Sequence, residues 1–160
     1  MTEVRTKPLA EAERRQQMTV TVTRSLAGDR LARACIGLAA AACIGNGFAM
    51  TFEPLDWFRM IPGAMATGPA NIHFIRDIGL AYGVSGSILI YALRDLWSRR
   101  SALLMGLAWL TLHAGLHVIE LATGAPSREH FWSDAPGVLG IPLLVWVGLA
   151  IGSQKSPAER

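Results

Sequence analysis

The stretch Ser101-Ala-Leu-Leu-Met105-Gly-Leu-Ala-Trp109-Leu-Thr-Leu-His113-Ala-Gly-Leu-His117-Val-Ile-Glu120-Leu-Ala122 is apolar along its length except for two imidazoles and one carboxylate. A helix needs about 20 such residues to cross a hydrocarbon core of about 30 Å, so the run reads as a membrane span. At about 100° per residue, positions 113, 117 and 120 fall on one helix face, with Trp109 one turn away from His113. Ionisable groups in hydrocarbon are costly and turn toward a bundle interior, where they pair or serve a ligand. The pattern predicts a small membrane bundle with a polar stripe.

Three further runs follow the same rule: Ala34 to Phe52, Ile78 to Leu93 and Ala135 to Gln154. The second is short alone, so its helix is expected to begin near Asn71 or His73. The predicted fold is all-α, an integral membrane four-helix bundle. Its spans cover about residues 31–52, 72–93, 101–122 and 135–153, between a basic tail (1–30) and a short tail (154–160). Apolar side chains make up 51% of the chain, and their gathering into runs separates this sequence from a water-soluble domain.

Charge sets orientation. Arg5, Lys7, Arg14, Arg15, Arg24, Arg30 and Arg33 precede the first span, and Arg94, Arg99 and Arg100 lie between the second and third. The other two links carry Glu53, Asp56 and Arg59, and Arg128, Glu129 and Asp134. The positive-inside rule then puts both termini in the cytoplasm. The net charge of +3 belongs to these flanks; with no basic–aromatic motif, a nucleic-acid partner is not expected. Cys35 and Cys43 stand about 12 Å apart along one helix, too far for a disulfide, and are expected to pack as small apolar groups.

Pro54-Leu-Asp-Trp57-Phe58-Arg-Met60 suits a short interfacial helix with Trp57 and Phe58 at headgroup level. In the N-terminal tail, Pro8 to Gln17 has some helical character, and Met18-Thr-Val-Thr-Val-Thr23 alternates like a strand. Gly79, Gly83 and Gly86, and Gly148 with Gly152, are expected to bring helix backbones together. Pro142 is expected to kink the last span. Asn46 reads as an interhelical hydrogen-bonding residue.

His73, Arg76 and Asp77 form a second polar group, expected level with His117 on an antiparallel neighbour, under loops carrying Glu53, Asp56, His130 and Asp134. Two readings compete. In the first, Arg76 pairs with Glu120 and Asp77 with His117, a self-satisfied network that pins two spans together. In the second, His113, His117 and Glu120, helped by His73 and Asp77, bind a transition metal, namely zinc, copper or iron. Met50, Met60 and Met65 are potential copper(I) ligands that read better as packing residues. Tyr82 and Trp109 are candidates to hydrogen-bond a quinone, and a proton path lacks any acid or base deep in the cytoplasmic half. No phosphate loop, nucleophile elbow or dinucleotide fingerprint is present.

The strings Asn71-Ile-His73-Phe-Ile-Arg76-Asp77-Ile-Gly79-Leu-Ala-Tyr82, Leu112-His113-Ala-Gly-Leu-His117-Val-Ile-Glu120 and Asp134-Ala-Pro136-Gly137-Val138 resemble a group of small, uncharacterised bacterial four-span proteins. In layout the chain is similar to DoxX-like membrane proteins. The resemblance covers about Gly68 to Ala150 and implies a bacterial inner-membrane protein without implying an activity. The reading is a non-enzymatic accessory or assembly protein with a polar network near the outer face. Its expected partners are the lipid bilayer and a membrane protein or second copy of the chain. The alternatives are a metal- or redox-cofactor-binding protein and, behind it, a small-solute or proton transporter.

Overall fold

The computed structural model describes residues 6–62, 64–96, 98–124, 132 and 135–152, and these residues form helices and turns with no strand among them. His130 and Asp134, expected over the polar stripe, lie outside the described residues, as do Arg128, Glu129 and the 154–160 tail. Helix α1 (Thr6–Phe52) has 47 residues, α2 (Pro54–Met60) seven, α3 (Ile72–Leu93) 22, α4 (Arg100–Thr123) 24 and α5 (Gly140–Gly152) 13. A single 3₁₀ turn, Ala64–Thr67, lies between α2 and α3.

Helix α1 corrects the expectation for the N-terminal segment. Residues 18–23 are helical, not extended, and α1 runs through them from Thr6. Threonine and valine cost less than about 0.7 kcal/mol each in a helix, and no glycine or proline interrupts positions 9–27, so the apolar span propagates its helix backward. Pro8 falls in the first turn, where its missing N–H breaks no bond. Other boundaries follow their local chemistry. Asn71 caps α3, its side-chain oxygen accepting from Phe74 N at 3.1 Å. Gly124, at φ +80°, ends α4 in the left-handed conformation. Residues 135–138 are helical, and a turn at Leu139 separates them from α5. That turn is where Pro142, lacking an N–H, withholds the bond to the Val138 carbonyl.

Three helical stretches are long and apolar enough to cross a membrane: Leu26–Phe52, Arg100–Thr123 and Ala135–Gly152. Helix α3 has the length but is less apolar, since Arg76, Asp77 and its glycines and serines dilute it.

Helix α1 packs along α3 on one side and α5 on the other, and α4 lies against α3 with a lighter contact to α5. The contacts make each neighbouring pair antiparallel: Gly47 meets Gly79 while Gly86 meets Ala40, and Gly28 meets Ile151 while Gly148 meets Ala32. The fully buried centre is Ile36, Cys43, Leu89, Leu103, Leu107, Leu110 and Val145.

The α1–α3 seam is a backbone contact. A Cβ on Gly47 would stand 2.6 Å from the Gly79 carbonyl oxygen and 2.8 Å from the Gly83 nitrogen. Only glycine permits that approach, which maximises dispersion contact between helices that share a solvent as apolar as themselves. Gly79 and Gly86 serve the packing role read from their spacing, while Gly47 is its partner on α1.

Both ends of this seam are tied by polar groups. At one end Arg33 donates from Nε to Asp29 at 2.7 Å and from Nη1 to the Leu93 carbonyl at 2.5 Å. Arg99 donates to the Tyr91 carbonyl at 2.9 Å, and its guanidinium lies 4.2 Å from the Tyr91 ring centre. These arginines satisfy carbonyls at the α3 C-terminus, where positive charge is favoured. At the other end Trp57 Nε1 donates to Asn46 Oδ1 at 2.8 Å, latching α2 back onto α1. Trp57 is half-buried against the core.

Candidate functional site

The polar stripe on α4 takes shape as a column of rings. Trp109 and His113 stack with planes 8° apart and centroids 5.0 Å apart. His113 and His117 meet edge to face at 4.9 Å. Tyr82 of α3 stands edge-on to Trp109 at 4.8 Å and to His113 at 5.9 Å. His117 Nδ1 and Glu120 Oε2 are 3.8 Å apart at the far end of the column, beyond hydrogen-bond length.

The local reason is helical phase. Leu103, Leu107, Leu110 and Ala114 form the buried stripe of α4, and positions 109, 113, 117 and 120 flank it on the side facing α3. These four residues are half-buried, with 27% of the His117 side chain and 38% of the Glu120 side chain exposed. On α3 the facing position is Tyr82, only 6% exposed.

The Tyr82 hydroxyl, the Trp109 indole N–H and the His113 ring nitrogens make no hydrogen bond with any group among the described residues. Ser85, also buried and one turn from Tyr82, is likewise without a side-chain partner there. The remaining hydroxyls of the helices behave differently. Thr51, Ser87, Thr111 and Thr123 each bond a carbonyl three or four residues back, a local solution suited to an apolar solvent.

The second polar group divides between two faces. Arg76 Nε donates to the Thr51 carbonyl at 3.0 Å, filling an open acceptor in the last turn of α1. His73 and Asp77 pair at 3.4 Å, with side chains 89% and 54% exposed. Asp77 lies about 200° around α3 from buried Ile75, so it faces away from the seams of the bundle. The cross-helix pairs expected between Arg76 and Glu120, and between Asp77 and His117, are thus replaced by Arg76–Thr51, His73–Asp77 and His117–Glu120. Among the described residues no group of three or more His, Cys, Asp or Glu side chains is arranged to hold a metal ion. Met50 is buried in the core, while Met60 and Met65 are exposed.

Two contacts had only partial sequence signals. Asn46 stood out as a polar residue in a span, but its partner Trp57 comes from a helix that doubles back. The α4–α5 contact is marked by Trp146 Nε1 donating to Thr111 Oγ1 at 3.2 Å, and neither residue carries a pattern that pairs them.

Comparison with protein-family models, curated proteins and solved structures gives no match for this chain.

Proposed function

We propose that the chain is a four-span membrane protein of the bacterial inner membrane, both termini cytoplasmic, acting as an accessory or assembly component rather than as an enzyme. The column on α4 is the part completed from outside the chain. One observation carries this reading: Tyr82, Trp109 and His113 offer polar groups within apolar helices and find no partner among the described residues. Buried polar groups in a membrane are ordinarily satisfied by protein or by something bound. The fourth span is α3, whose outward side chains Leu80, Val84 and Ile90 are as apolar as those of its neighbours and exposed. The arginines gathered around Arg33 and Arg99 support a cytoplasmic position for that end by the positive-inside rule.

The accessory role is tested with a photo-crosslinking side chain at Leu116, exposed beside His113 and His117, and a second at Leu38, exposed on α1. In native membranes the expected result is a discrete protein adduct from position 116 and none from 38. Lipid adducts alone at both positions, with the protein isolated free of companions in mild detergent, would overturn the role.

A second reading keeps the metal. His113 and His117 hold two imidazoles side by side with Glu120 beyond them, so a transition ion would draw its first two donors from this pair and a further one from Glu120 or from outside. Stoichiometric metal in the purified protein, absent from His113→Ala/His117→Ala, would support it.

A further inference from the structure

We propose that the outward face of α1 holds one anionic phospholipid at the cytoplasmic end of the bundle, its phosphate on Arg30 and one acyl chain in a trough of small side chains. The inference rests on the reading above that α1 crosses the membrane with its arginine end in the cytoplasm, and it places an occupant on a different helix from the α4 column.

Three observations carry it. The first is surface relief. Ala27, Ala34, Ala41 and Gly45 are exposed, and at about 100° per residue they fall within about 40° of one another around α1. Leu31 and Leu38, 51% and 65% exposed, rise along one flank of this trough. Helices α3 and α5 take other faces of α1, through Gly47 and through Ala32, Cys35 and Ile36. At the arginine end the trough opens into a groove of about 630 Å³ lined by Leu26, Ala27, Arg30, Leu31 and Ala34. A flexible acyl chain fills relief of this kind by dispersion contact. The second is charge. Arg30 is exposed at the groove and makes no hydrogen bond or ion pair among the described residues. A free guanidinium meets phosphate oxygens bidentately. Asp29, the neighbouring carboxylate, is held by Arg33, which also donates to the Leu93 carbonyl. It is therefore not free to receive the ammonium of a zwitterionic headgroup, and a net negative headgroup is selected. The third is level. Arg30 stands about 6 Å before the uncharged run that begins at Ala34, where headgroups lie, and Ala41 is about 16 Å further along in the hydrocarbon. The cytoplasmic leaflet carries anionic lipid at that level.

The test is native mass spectrometry of the full chain, delipidated in mild detergent and titrated with dioleoylphosphatidylglycerol, dioleoylphosphatidylcholine or inorganic phosphate. Arg30→Gln removes the cation. Arg14→Gln removes the same charge from an exposed position about 24 Å further out on α1. Ala34→Trp fills the trough and leaves the charge unchanged. Circular dichroism melts verify that each variant is folded. The expected result is one phosphatidylglycerol retained per chain in preference to phosphatidylcholine. Its affinity should fall about fivefold in Arg30→Gln, fall also in Ala34→Trp, and hold in Arg14→Gln. Equal losses in Arg30→Gln and Arg14→Gln would overturn the proposal, since diffuse charge would then explain the binding. Displacement of the lipid by inorganic phosphate, with Ala34→Trp unaffected, would overturn it in favour of a bare anion site. A dimer mass lost in Ala34→Trp would give the trough to a second copy instead. Alkaline extraction of membranes checks the underlying reading separately: release of the chain would overturn membrane insertion itself, whereas absent lipid selectivity in an inserted chain rejects only this site.

Discussion

Helix α3 has two seams, and they are built on opposite principles. Toward α1 it presents Gly79 and Gly86, its backbone closes on Gly47, and the polar groups at the seam ends are bonded: Arg33 to Leu93, Arg76 to Thr51. Toward α4 it presents Tyr82, whose ring meets Trp109 and His113 edge-on, and Ser85, whose carbonyl lies against Gly106; neither hydroxyl has a hydrogen-bond partner among the described residues. Bonded arginines at the ends of one seam and open hydroxyls at the other separate the work of holding the fold from that of meeting something outside the chain. The contrast implies that damage to the first seam unfolds the protein, while damage to the second changes what it binds.

The strongest way to sharpen that contrast is Gly47→Leu. Its Cβ alone falls within 2.6 Å of backbone on α3, so the helices must separate. Overpacking of this kind costs about 1–3 kcal/mol, and a backbone seam with no flexible side chain to yield belongs at the upper end. Thermal unfolding in mild detergent should show it, and Gly45→Leu, placed where nothing lies within 4 Å, should melt like the wild type. Next comes the latch: Trp57→Phe removes the donor to Asn46 and should destabilise by about 1 kcal/mol, with faster proteolysis across residues 53–62. Arg99→Ala removes both the carbonyl bond at Tyr91 and the cation–π contact. The site is exposed, so the expected loss is about 0.5–1 kcal/mol, read as earlier amide exchange at the α3 C-terminus. Smallest is Thr111→Val, which deletes the bond from Trp146. Membrane hydrogen bonds average about 0.6 kcal/mol, and a drop far beyond that would show the α4–α5 contact to matter more than its sparse packing implies.

The sequence carried the fold further than the site. The short helix Pro54–Met60 was legible to its ends because Pro54 and Pro62 bracket a mixed apolar–charged stretch, and the length a span needs put the start of α3 near Asn71, which the structure shows to be its cap. The backward extension of α1 was not legible, since β-branched alternation over 18–23 reads locally as strand and only the attached span overrides it. In the site, the periodicity of α4 alone put His113, His117 and Glu120 on one face. The partners across the seam were misassigned because one helix's pattern does not reveal its rotation about its axis relative to a neighbour. Arg76 and Asp77, adjacent in sequence, point about 100° apart; the first reaches α1 and the second its own His73. Tyr82 stood in the sequence as a quinone candidate, and packing shows it to be the residue of α3 that meets the column.

The most direct test of the division between the two seams is the melting temperature of His113→Ala/His117→Ala against wild type and Gly47→Leu, measured in one detergent. The account predicts that the double histidine variant melts close to wild type, losing about 1 kcal/mol of ring stacking at most, while Gly47→Leu melts far lower. A histidine variant as unstable as Gly47→Leu would contradict it, because the column would then be holding the bundle together rather than waiting for a ligand.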